Sequence, residues 1–519
     1  MAGAVLVFVI AVLELRIARQ PIQPYGDAAA AWIEHAVRLE LIEDLRADPP
    51  ANPWGLLVRS DGESHPPLLH LAHAGLGAIT GHDPAIQARF APLWLVLLAV
   101  SMALVGRALG DGRAAVGAFV GTLLLPALHG SATRVHYDLP MTALLWGAVA
   151  VLVTGIRTRA WLVAPLAGLL LFAAALTKWT AVPFGGLMLL GVLATPVGSL
   201  RSRIGLVLAA GAVAAAGIGA YLDATTASFQ GGQLAVGAAG IGALPWYGAR
   251  LVVAVLSPLA ALALARLAIS WWRAGRPGAG LVGITVIGQV AFLLAMVSVR
   301  DERFLLTLAP ALVLLGALGW ARTSDRRLDV ALLAVLAGLA VDLHLGPGML
   351  TGDSVEQRGW AAAARTANDH PERREAAWAL LERWPTDRIA LPGGIVDVGD
   401  IWWLRARAAQ ARLQGAPLPR EVLVLNHVGL GGRDLWWPDP DSSPDAWEHE
   451  RLGFSWDLLP DPVPATSSEV AAAGFPASIY EAFTPEVVLA RLPADPEMPL
   501  PPGFALTARA ADVGLFASE

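Results

Sequence analysis

A small set of ionisable side chains lies at the ends of long apolar stretches, which are predicted to span a membrane. All members of the set are predicted to lie on the same side of that membrane. The set comprises Asp27, His65, Asp83, Arg89, Arg134, His136, Asp138, Lys178, Arg300, Asp301, Glu302 and Arg303. Charged groups near a bilayer are costly, so those kept there are candidates for function. A carboxylate can deprotonate a hydroxyl, and a basic side chain can neutralise charge on a departing phosphate. The set predicts such chemistry; the alternative is that each charge is a snorkelling anchor.

Two residues of this set are informative individually. Asp27 is followed by four alanines and a tryptophan, so it suits a general base and equally a helix N-cap. Lys178 is the only lysine in the chain. Arginine would serve equally well as an anchor, so a compact ammonium at this position predicts a phosphate or sugar contact in a tight space. Snorkelling remains the alternative for Lys178.

Four histidines in the first part of the chain raise the question of a metal site. They are His65, His70, His73 and His82. No carboxylate accompanies them at a recognised ligand spacing, which favours histidines at the membrane interface. His65 precedes two prolines, whose rings preset an extended turn. His65 is therefore either a substrate contact or part of a rigid lead into the membrane.

Arginines at two outer positions complete the candidates for substrate binding. Arg134 belongs to the short segment 131–139, and Arg300 and Arg303 flank two acidic residues. Pairing within that four-residue turn is the alternative for Arg300 and Arg303. An aromatic and acidic stretch near Trp436 and Trp437 could stack on sugars or build a domain core.

Composition sets the class of protein that must position these residues. Of 519 residues, 55% are hydrophobic and only 15% charged, against roughly a quarter charged in soluble domains. The mean hydropathy is +0.55, which excludes an ordinary soluble enzyme. The chain has no cysteine, which excludes a disulfide scaffold, a thiol nucleophile and Cys-ligated metals. The net charge of −6 gives no indication of a nucleic-acid partner.

Apolar stretches recur up to about residue 344 and predict about eleven transmembrane helices. They lie at 3–17, 87–106, 114–130, 140–156, 162–177, 180–196, 204–222, 248–270, 280–299, 304–320 and 328–344. Alternate loops carry the arginines, namely Arg107, Arg113, Arg157, Arg159, Arg201, Arg203, Arg266, Arg273, Arg276, Arg322, Arg326 and Arg327. Because positive loops face the cytoplasm, the opposite, outer side receives a large first loop at 18–86, Lys178 and the C-terminal tail.

The tail differs from the rest of the chain. Residues 345–519 carry 14 basic and 25 acidic residues, whereas residues 1–344 carry 23 and 18. Predicted helices at 359–383, 399–413 and 466–474 alternate with β-like runs at Arg388–Leu391, Glu421–His427 and Glu486–Ala490. The sequence therefore predicts a polytopic α-helical membrane domain, 1–344, followed by a soluble, extracytoplasmic α/β domain, 345–519.

Short motifs on the predicted outer face resemble one known family. They are Pro24-Tyr25-Gly26-Asp27, Ser64-His65-Pro66-Pro67-Leu68, Gly81-His82-Asp83-Pro84, Tyr137-Asp138-Leu139-Pro140, Leu176-Thr177-Lys178, Pro245-Trp246-Tyr247 and Arg300-Asp301-Glu302-Arg303-Phe304. In this order and spacing the region from about 22 to 320 resembles the protein O-mannosyltransferase and aminoarabinose-transferase branch of the GT-C glycosyltransferases. No single motif is specific; their common register carries the resemblance.

The resemblance implies an inverting transfer, on the outer face of the membrane, from a polyprenyl-phosphate sugar donor. It implies a catalytic acid in the first loop, which maps onto Asp27, and places Arg303 at the position thought to hold the donor phosphate. Relatives commonly have an acidic pair where this chain has Asp27-Ala28. Ala28 puts in doubt a second acid, or a site for a divalent cation such as Mg²⁺ or Mn²⁺, built on that pair. Asp138 and the Asp301-Glu302 pair are the candidates to supply the missing carboxylate.

The sequence therefore predicts a bacterial inner-membrane glycosyltransferase with a GT-C-like fold. Asp27 is the expected base, while His65, Arg134, Asp138, Lys178, Arg300 and Arg303 are expected to contact substrate. The expected partners are a polyprenyl-phosphate sugar donor, membrane lipid and a glycan, lipid or protein acceptor. A non-catalytic protein that binds or translocates lipid-linked glycans is the main alternative. A transporter of small polar solutes fits less well, because the charges lie at one face rather than in mid-span.

Overall fold

A computed structural model describes most of the helical part of the chain and the elements of a C-terminal sheet. The described ranges are 2–19, 66–80, 88–132, 137–225, 240–296, 302–323, 326–345, 371–384, 388–392, 398–416, 421–425, 487–491, 503–511 and 513–518, with Ile86 and parts of 39–49. These residues fall into two compact units. The first contains the described residues up to 19 and from 66 to 345; the second contains those of 39–49 and those after 370.

The first unit is helical. Its α-helices are α1 Ala2–Arg19, α2 Leu68–Thr80, α3 Ala91–Leu109, α4 Gly112–Leu124, α5 Pro126–Ser131, α6 Asp138–Thr158, α7 Val163–Ala175, α8 Ala181–Ala194, α9 Leu200–Thr225, α10 Leu244–Arg250, α11 Pro258–Arg273, α12 Ala279–Met296, α13 Ala309–Trp320 and α14 Arg326–Leu345. A π-helical turn covers Leu251–Leu256, and 3₁₀ turns cover Ile241–Ala243 and Glu302–Leu305.

Local signals explain where several of these helices begin and end. The Asp111 carboxylate accepts hydrogen bonds from the backbone N–H groups of Arg113 and Ala114, at 2.9 Å each, and so caps α4. Helix α6 ends at Arg159, whose φ of 58° lies in the left-handed region that stops a helix. These caps lie in the loops that the arginine pattern predicts to be cytoplasmic.

Two predicted spans are interrupted in the structure. The stretch 114–130 divides at Leu125, which is extended before Pro126, because proline disfavours a helical conformation in the residue before it. The stretch 248–270 divides at Ser257, whose φ is 67° and whose hydroxyl accepts a hydrogen bond from the N–H of Ala260 at the start of α11. Helices cover most of the other nine predicted stretches.

The apolar character of these helices identifies a membrane protein. Among the described residues, four helices are long and apolar enough to cross a membrane: Ala91–Leu109, Asp138–Thr158, Leu200–Asp223 and Ala279–Met296. Six further apolar helices are shorter, and the total of eleven spans stays a prediction. Glu14, which is unfavourable within the first predicted span, lies 3.0 Å from Arg89 Nε; this pairing reduces the cost of its charge.

Helix α6 forms the centre of the first unit. In its spanning window 89% of the residues are buried, against 28% to 39% in the other three long helices. The helix contacts α3, α7 and α8, and its Trp146 is fully buried. A helix buried on all sides has little freedom to shift, so its first residue, Asp138, has a well-defined position.

The second unit contains a five-stranded sheet. Its strands are β1 Arg388–Pro392, β2 Glu421–Leu425, β3 Val487–Arg491, β4 Phe504–Ala510 and β5 Val513–Ser518, in the order β2-β1-β3-β5-β4. The pairs β1–β2 and β1–β3 are parallel, whereas β3–β5 and β4–β5 are antiparallel. The sequence predicts the first three strands but not β4 and β5. Helices α15 Pro371–Arg383 and α16 Val398–Leu413 complete the unit; the predicted helix 466–474 lies outside the described residues.

An ion pair within the second unit joins the predicted first loop to α16. The Arg412 guanidinium donates from Nε and Nη2 to the two oxygens of Glu43, at 2.9 and 2.8 Å. Arg46 also donates to the Leu413 carbonyl at 3.2 Å. Because two nitrogens on one edge of the guanidinium bond both carboxylate oxygens, this contact is a specific clamp between segments far apart in sequence.

Candidate active site

The centre of the candidate site is an ion pair between Asp138 and Lys178. The distance from Lys178 Nζ to Asp138 Oδ1 is 2.7 Å, and the two side chains are only 15% and 5% exposed. A charge-assisted hydrogen bond of this length is among the stronger polar contacts in proteins. Both charges are largely withdrawn from solvent, and each compensates part of the desolvation cost of the other.

Helix geometry fixes the acidic partner. Asp138 is the first residue of α6, and Thr142 Oγ1 donates to its backbone carbonyl at 2.6 Å. The N-terminus of a helix carries partial positive charge, which favours a carboxylate at this position. The Asp138 carboxylate is therefore stabilised by two sources of positive charge, its own helix and Lys178.

A tight turn fixes the basic partner. Lys178 lies between α7 and α8, where its N–H donates to the Ala174 carbonyl at 3.0 Å and its carbonyl accepts from Ala181 at 2.9 Å. Its ammonium also lies 5.4 Å from the centre of the Phe304 ring, within the range of a cation–π contact. The lone lysine is thus held by its backbone on both sides and by an aromatic face.

Phe304 brings a further motif to this position. It belongs to the 3₁₀ turn Glu302–Leu305, directly after Arg303. The structure describes Arg303 through its backbone only. Residues from the Tyr137-Asp138, Thr177-Lys178 and Arg303-Phe304 motifs therefore lie close together, although they are far apart in sequence.

The other predicted site residues lie outside the described part of the chain. They are Asp27, His65, Arg134 and Arg300, and their predicted roles remain predictions. The structure does describe Pro66 and Pro67, which follow His65 and are buried. Helix α2 begins directly after them, and its Leu68 N–H donates to the Leu176 carbonyl at 2.9 Å. This bond connects α2 to the turn that carries Lys178.

Two residues without a predicted site role lie next to the ion pair. The Tyr137 hydroxyl and His70 Nε2 are 2.8 Å apart, and both residues are buried. His70 and His73 are thus inside the helical packing rather than at an exposed interface. In the sequence, Tyr137 could have been linked to the candidate site because it directly precedes Asp138. Nothing in the local sequence distinguished His70 from the other histidines.

The described residues do not form a metal-binding cluster. No group of three histidine or acidic side chains comes together in the described part of the chain. Asp138 is engaged by the lysine ammonium. A divalent cation therefore has no ligand set among these residues.

The arrangement is suited to an anionic ligand. An ammonium has three N–H donors, and Asp138 uses one of them. Within the part of the chain that the structure describes, the other two donors bond no acceptor, so they can hold a phosphate oxygen while the carboxylate keeps the ammonium oriented. The neighbouring Phe304 ring presents its negative face to the ammonium and so helps to orient it.

Comparison of sequences finds no matching family model and no matching curated protein. Comparison of structures finds ArnT from Cupriavidus metallidurans bound to undecaprenyl phosphate, at a TM-score of 0.59 and 14% identity, covering 100% of this chain and 98% of that one. Its apo state matches at a TM-score of 0.60 and 14% identity, covering 99% and 98%. The chain therefore shares its overall fold with this ArnT.

A second match concerns an archaeal protein. The Archaeoglobus fulgidus oligosaccharyltransferase in complex with Zn and sulfate overlaps at a TM-score of 0.49 and 12% identity, covering 94% of this chain and 68% of that one. This similarity is too low to bear on function. At 14% identity the likeness to ArnT concerns the fold alone, since one fold can support different activities. The activity must therefore be argued from the site.

Proposed function

We propose that this protein is an integral membrane glycosyltransferase that moves a sugar from a polyprenyl-phosphate donor to an acceptor hydroxyl. The observation that carries the proposal is the buried Asp138–Lys178 pair beside Phe304, within a fold that ArnT shares. The ArnT structure contains undecaprenyl phosphate, and a lysine with unused donors suits the phosphate of such a lipid.

The proposed reaction is a single in-line displacement with inversion at the anomeric carbon. Asp27 takes the proton from the acceptor hydroxyl, whose oxygen forms the new bond to the sugar. The bond between the anomeric carbon and the phosphate oxygen breaks, and its electron pair leaves with the polyprenyl phosphate. Lys178 and Arg303 compensate the charge on this leaving group, while Asp138 keeps the Lys178 ammonium in place.

The proposed location is the outer face of the bacterial cytoplasmic membrane, with the C-terminal region outside the cytoplasm. The support is the arginine pattern of the alternate loops. A phosphatase reporter that is active only outside the cytoplasm should be active when it is fused after Glu519. A fluorescent reporter that matures only inside should stay dark, and a bright signal would overturn the orientation.

The alternative is a protein that binds or translocates lipid-linked glycans without chemistry. Ala28 favours this alternative, because relatives commonly have an acidic residue in its place. The same ion pair would then hold the phosphate of a lipid-linked sugar that is released unchanged. The sugar and the acceptor are open in both versions.

The lipid-linked glycans of a deletion strain distinguish the two. Loss of a transferase should cause a polyprenyl-phosphate sugar to accumulate while its product disappears, and complementation with the wild-type gene should reverse both. The purified protein, reconstituted with the accumulated lipid and an acceptor fraction from the same strain, should then transfer the sugar and release polyprenyl phosphate. Binding of that lipid without release, for every acceptor fraction from the same strain, would favour the non-catalytic alternative.

A further inference from the structure

The inference concerns two buried polar side chains that the proposed mechanism does not use. Helix α2 is apolar, yet it buries His70, which is 3% exposed, and Tyr137 opposite it is 2% exposed. The Tyr137 hydroxyl and His70 Nε2 are 2.8 Å apart, with the rings edge-on at 78°. Buried polar groups are retained at a cost unless a partner satisfies them. Here the Tyr137 hydroxyl and His70 Nε2 are partners for each other.

The position of Tyr137 gives the contact a consequence for the candidate site. Tyr137 directly precedes Asp138, and its carbonyl accepts the first hydrogen bond of α6, from Met141 at 3.0 Å. Fixing the Tyr137 side chain therefore fixes the point at which α6 begins. Because Asp138 is the next residue, its carboxylate is fixed as well.

The same helix also contacts the turn that holds Lys178. Leu68, two residues before His70, donates its backbone N–H to the Leu176 carbonyl at 2.9 Å. Pro66 and Pro67 have no N–H, so Leu68 provides the first backbone donor of this segment. Helix α2 therefore bonds near both partners of the ion pair. Leu68 bonds Leu176, two residues before Lys178, and His70 bonds Tyr137, the residue before Asp138.

We propose that His70 is a positioning residue: through Tyr137 it holds Asp138 against Lys178, and α2 sets the distance between the two charges. The proposal rests on the proposed function only for its consequence, that the pair then presents a correctly placed ammonium to the donor phosphate. The competing explanation is that the bond between His70 and Tyr137 contributes to helix packing alone.

The single lysine makes the proposal testable without an activity assay. An amine-reactive reagent can modify only Lys178 and the chain terminus, so the modified peptide identifies the residue. An ammonium held by a carboxylate reacts slowly, and loosening the pair should speed the reaction. We expect Tyr137→Phe and His70→Leu to raise the labelling rate of Lys178 by about 2- to 10-fold, the effect of losing one neutral hydrogen bond. His70→Gln, which can still bond the hydroxyl, should restore most of the protection.

Helix α2 offers a matched control one turn further along. His73 is equally buried, at 2%, and its ring packs edge-on against Phe90 with centroids 5.9 Å apart. His73→Leu removes the same imidazole from the same helix, so a packing defect should appear in both variants. Unchanged labelling in Tyr137→Phe, or an equal increase in His73→Leu, would overturn the proposal. Tyr137→Phe deletes a single oxygen and is the variant expected to fold normally.

Binding of undecaprenyl phosphate separates this inference from the proposed function. His70→Leu should weaken binding of this lipid by about 2- to 10-fold, and it should have no further effect in a Lys178→Met background, since both changes act on one contact. Faster labelling with unchanged lipid binding would support the positioning role and count against the phosphate site. An additive effect of the two changes would show that His70 acts elsewhere and would contradict the inference.

Discussion

Two largely buried ion pairs, one in each unit, are similar in exposure but differ in the number of hydrogen bonds between the charged groups. The Asp138 and Lys178 side chains are 5% and 15% exposed, and those of Glu43 and Arg412 are 17% and 12% exposed. Each pair joins segments that are distant in sequence. The lysine makes one contact with one carboxylate oxygen, whereas the arginine uses two nitrogens and both oxygens of its partner.

The difference shows that burial and distance do not by themselves distinguish a binding site from a structural clamp. A bidentate arginine bonds both oxygens of the carboxylate and defines one orientation, which suits the attachment of one segment to another. A lysine with one bond keeps unused donors, which suits recognition of a ligand. We therefore assign the first pair to the candidate site and the second to the structure of the second unit.

The largest effect is expected at Asp27, which belongs to the same predicted first loop as Glu43 of the clamp. Asp27→Asn is nearly isosteric and can still cap a helix, so folding should be retained while the base is lost. Turnover with the lipid-linked donor should fall by about 10²- to 10⁴-fold, the usual contribution of general acid–base catalysis. Initial rates at equal protein levels measure it. A fully active Asn variant would leave Asp27 as a cap only.

The next effect tests the lysine of the first pair. Lys178→Met keeps the aliphatic volume and removes charged hydrogen bonds worth about 1.5–3 kcal/mol, so use of the donor should weaken by about 10- to 150-fold. Lys178→Arg keeps the charge but alters the shape and should restore activity only in part. Donor KM and kcat are the measurements. Full activity of Lys178→Met, or complete rescue by arginine, would favour a snorkelling anchor.

The clamp of the second unit should respond in the opposite way. Glu43→Gln removes the charge that Arg412 contacts and should destabilise the second unit by about 1–3 kcal/mol. Binding of the lipid donor to the first unit should change little, because no residue of the proposed phosphate contact is altered. Hydrogen exchange of α16, compared between variant and wild type, measures the stability. Protected α16 amides together with weakened donor binding would reverse the assignment of the two pairs.

The smallest effect concerns a third pair, which is more exposed. The Glu14 and Arg89 side chains are 44% and 46% exposed, and their charges are 3.0 Å apart. Exposed ion pairs contribute about 0–1 kcal/mol, so Glu14→Gln should change thermal stability only slightly and activity not at all. A thermal unfolding scan of the purified protein measures this. A loss of stability as large as that of Glu43→Gln would show that exposure does not rank these pairs.

The elements of the fold were largely predictable because their signals are local. Apolar stretches of sufficient length predict helices at positions close to those of the structure, and β-branched runs predict β1, β2 and β3. The strands β4 and β5 were not predicted: β4 contains three alanines, which have weak strand preference, and the short β5 pairs with β4 on one side and with β3 on the other. The breaks at Leu125 and Ser257 also escaped prediction. Pro126 was visible in the sequence, but helices in membranes can also continue through proline.

For the candidate site, the sequence by itself determined the candidate residues, namely a lone lysine, an aspartate at the end of a span and an Arg-Phe turn. These residues stand out because charged residues are rare in membrane-spanning segments. Only the tertiary structure decided which of them meet. Lys178 bonds Asp138 across 40 positions, Phe304 lies beside it from a third segment, and His70 reaches Tyr137 across 67 positions. Such contacts depend on how whole helices pack against each other. The hydropathy of a sequence indicates that a helix is buried, but it does not indicate which helices are its neighbours.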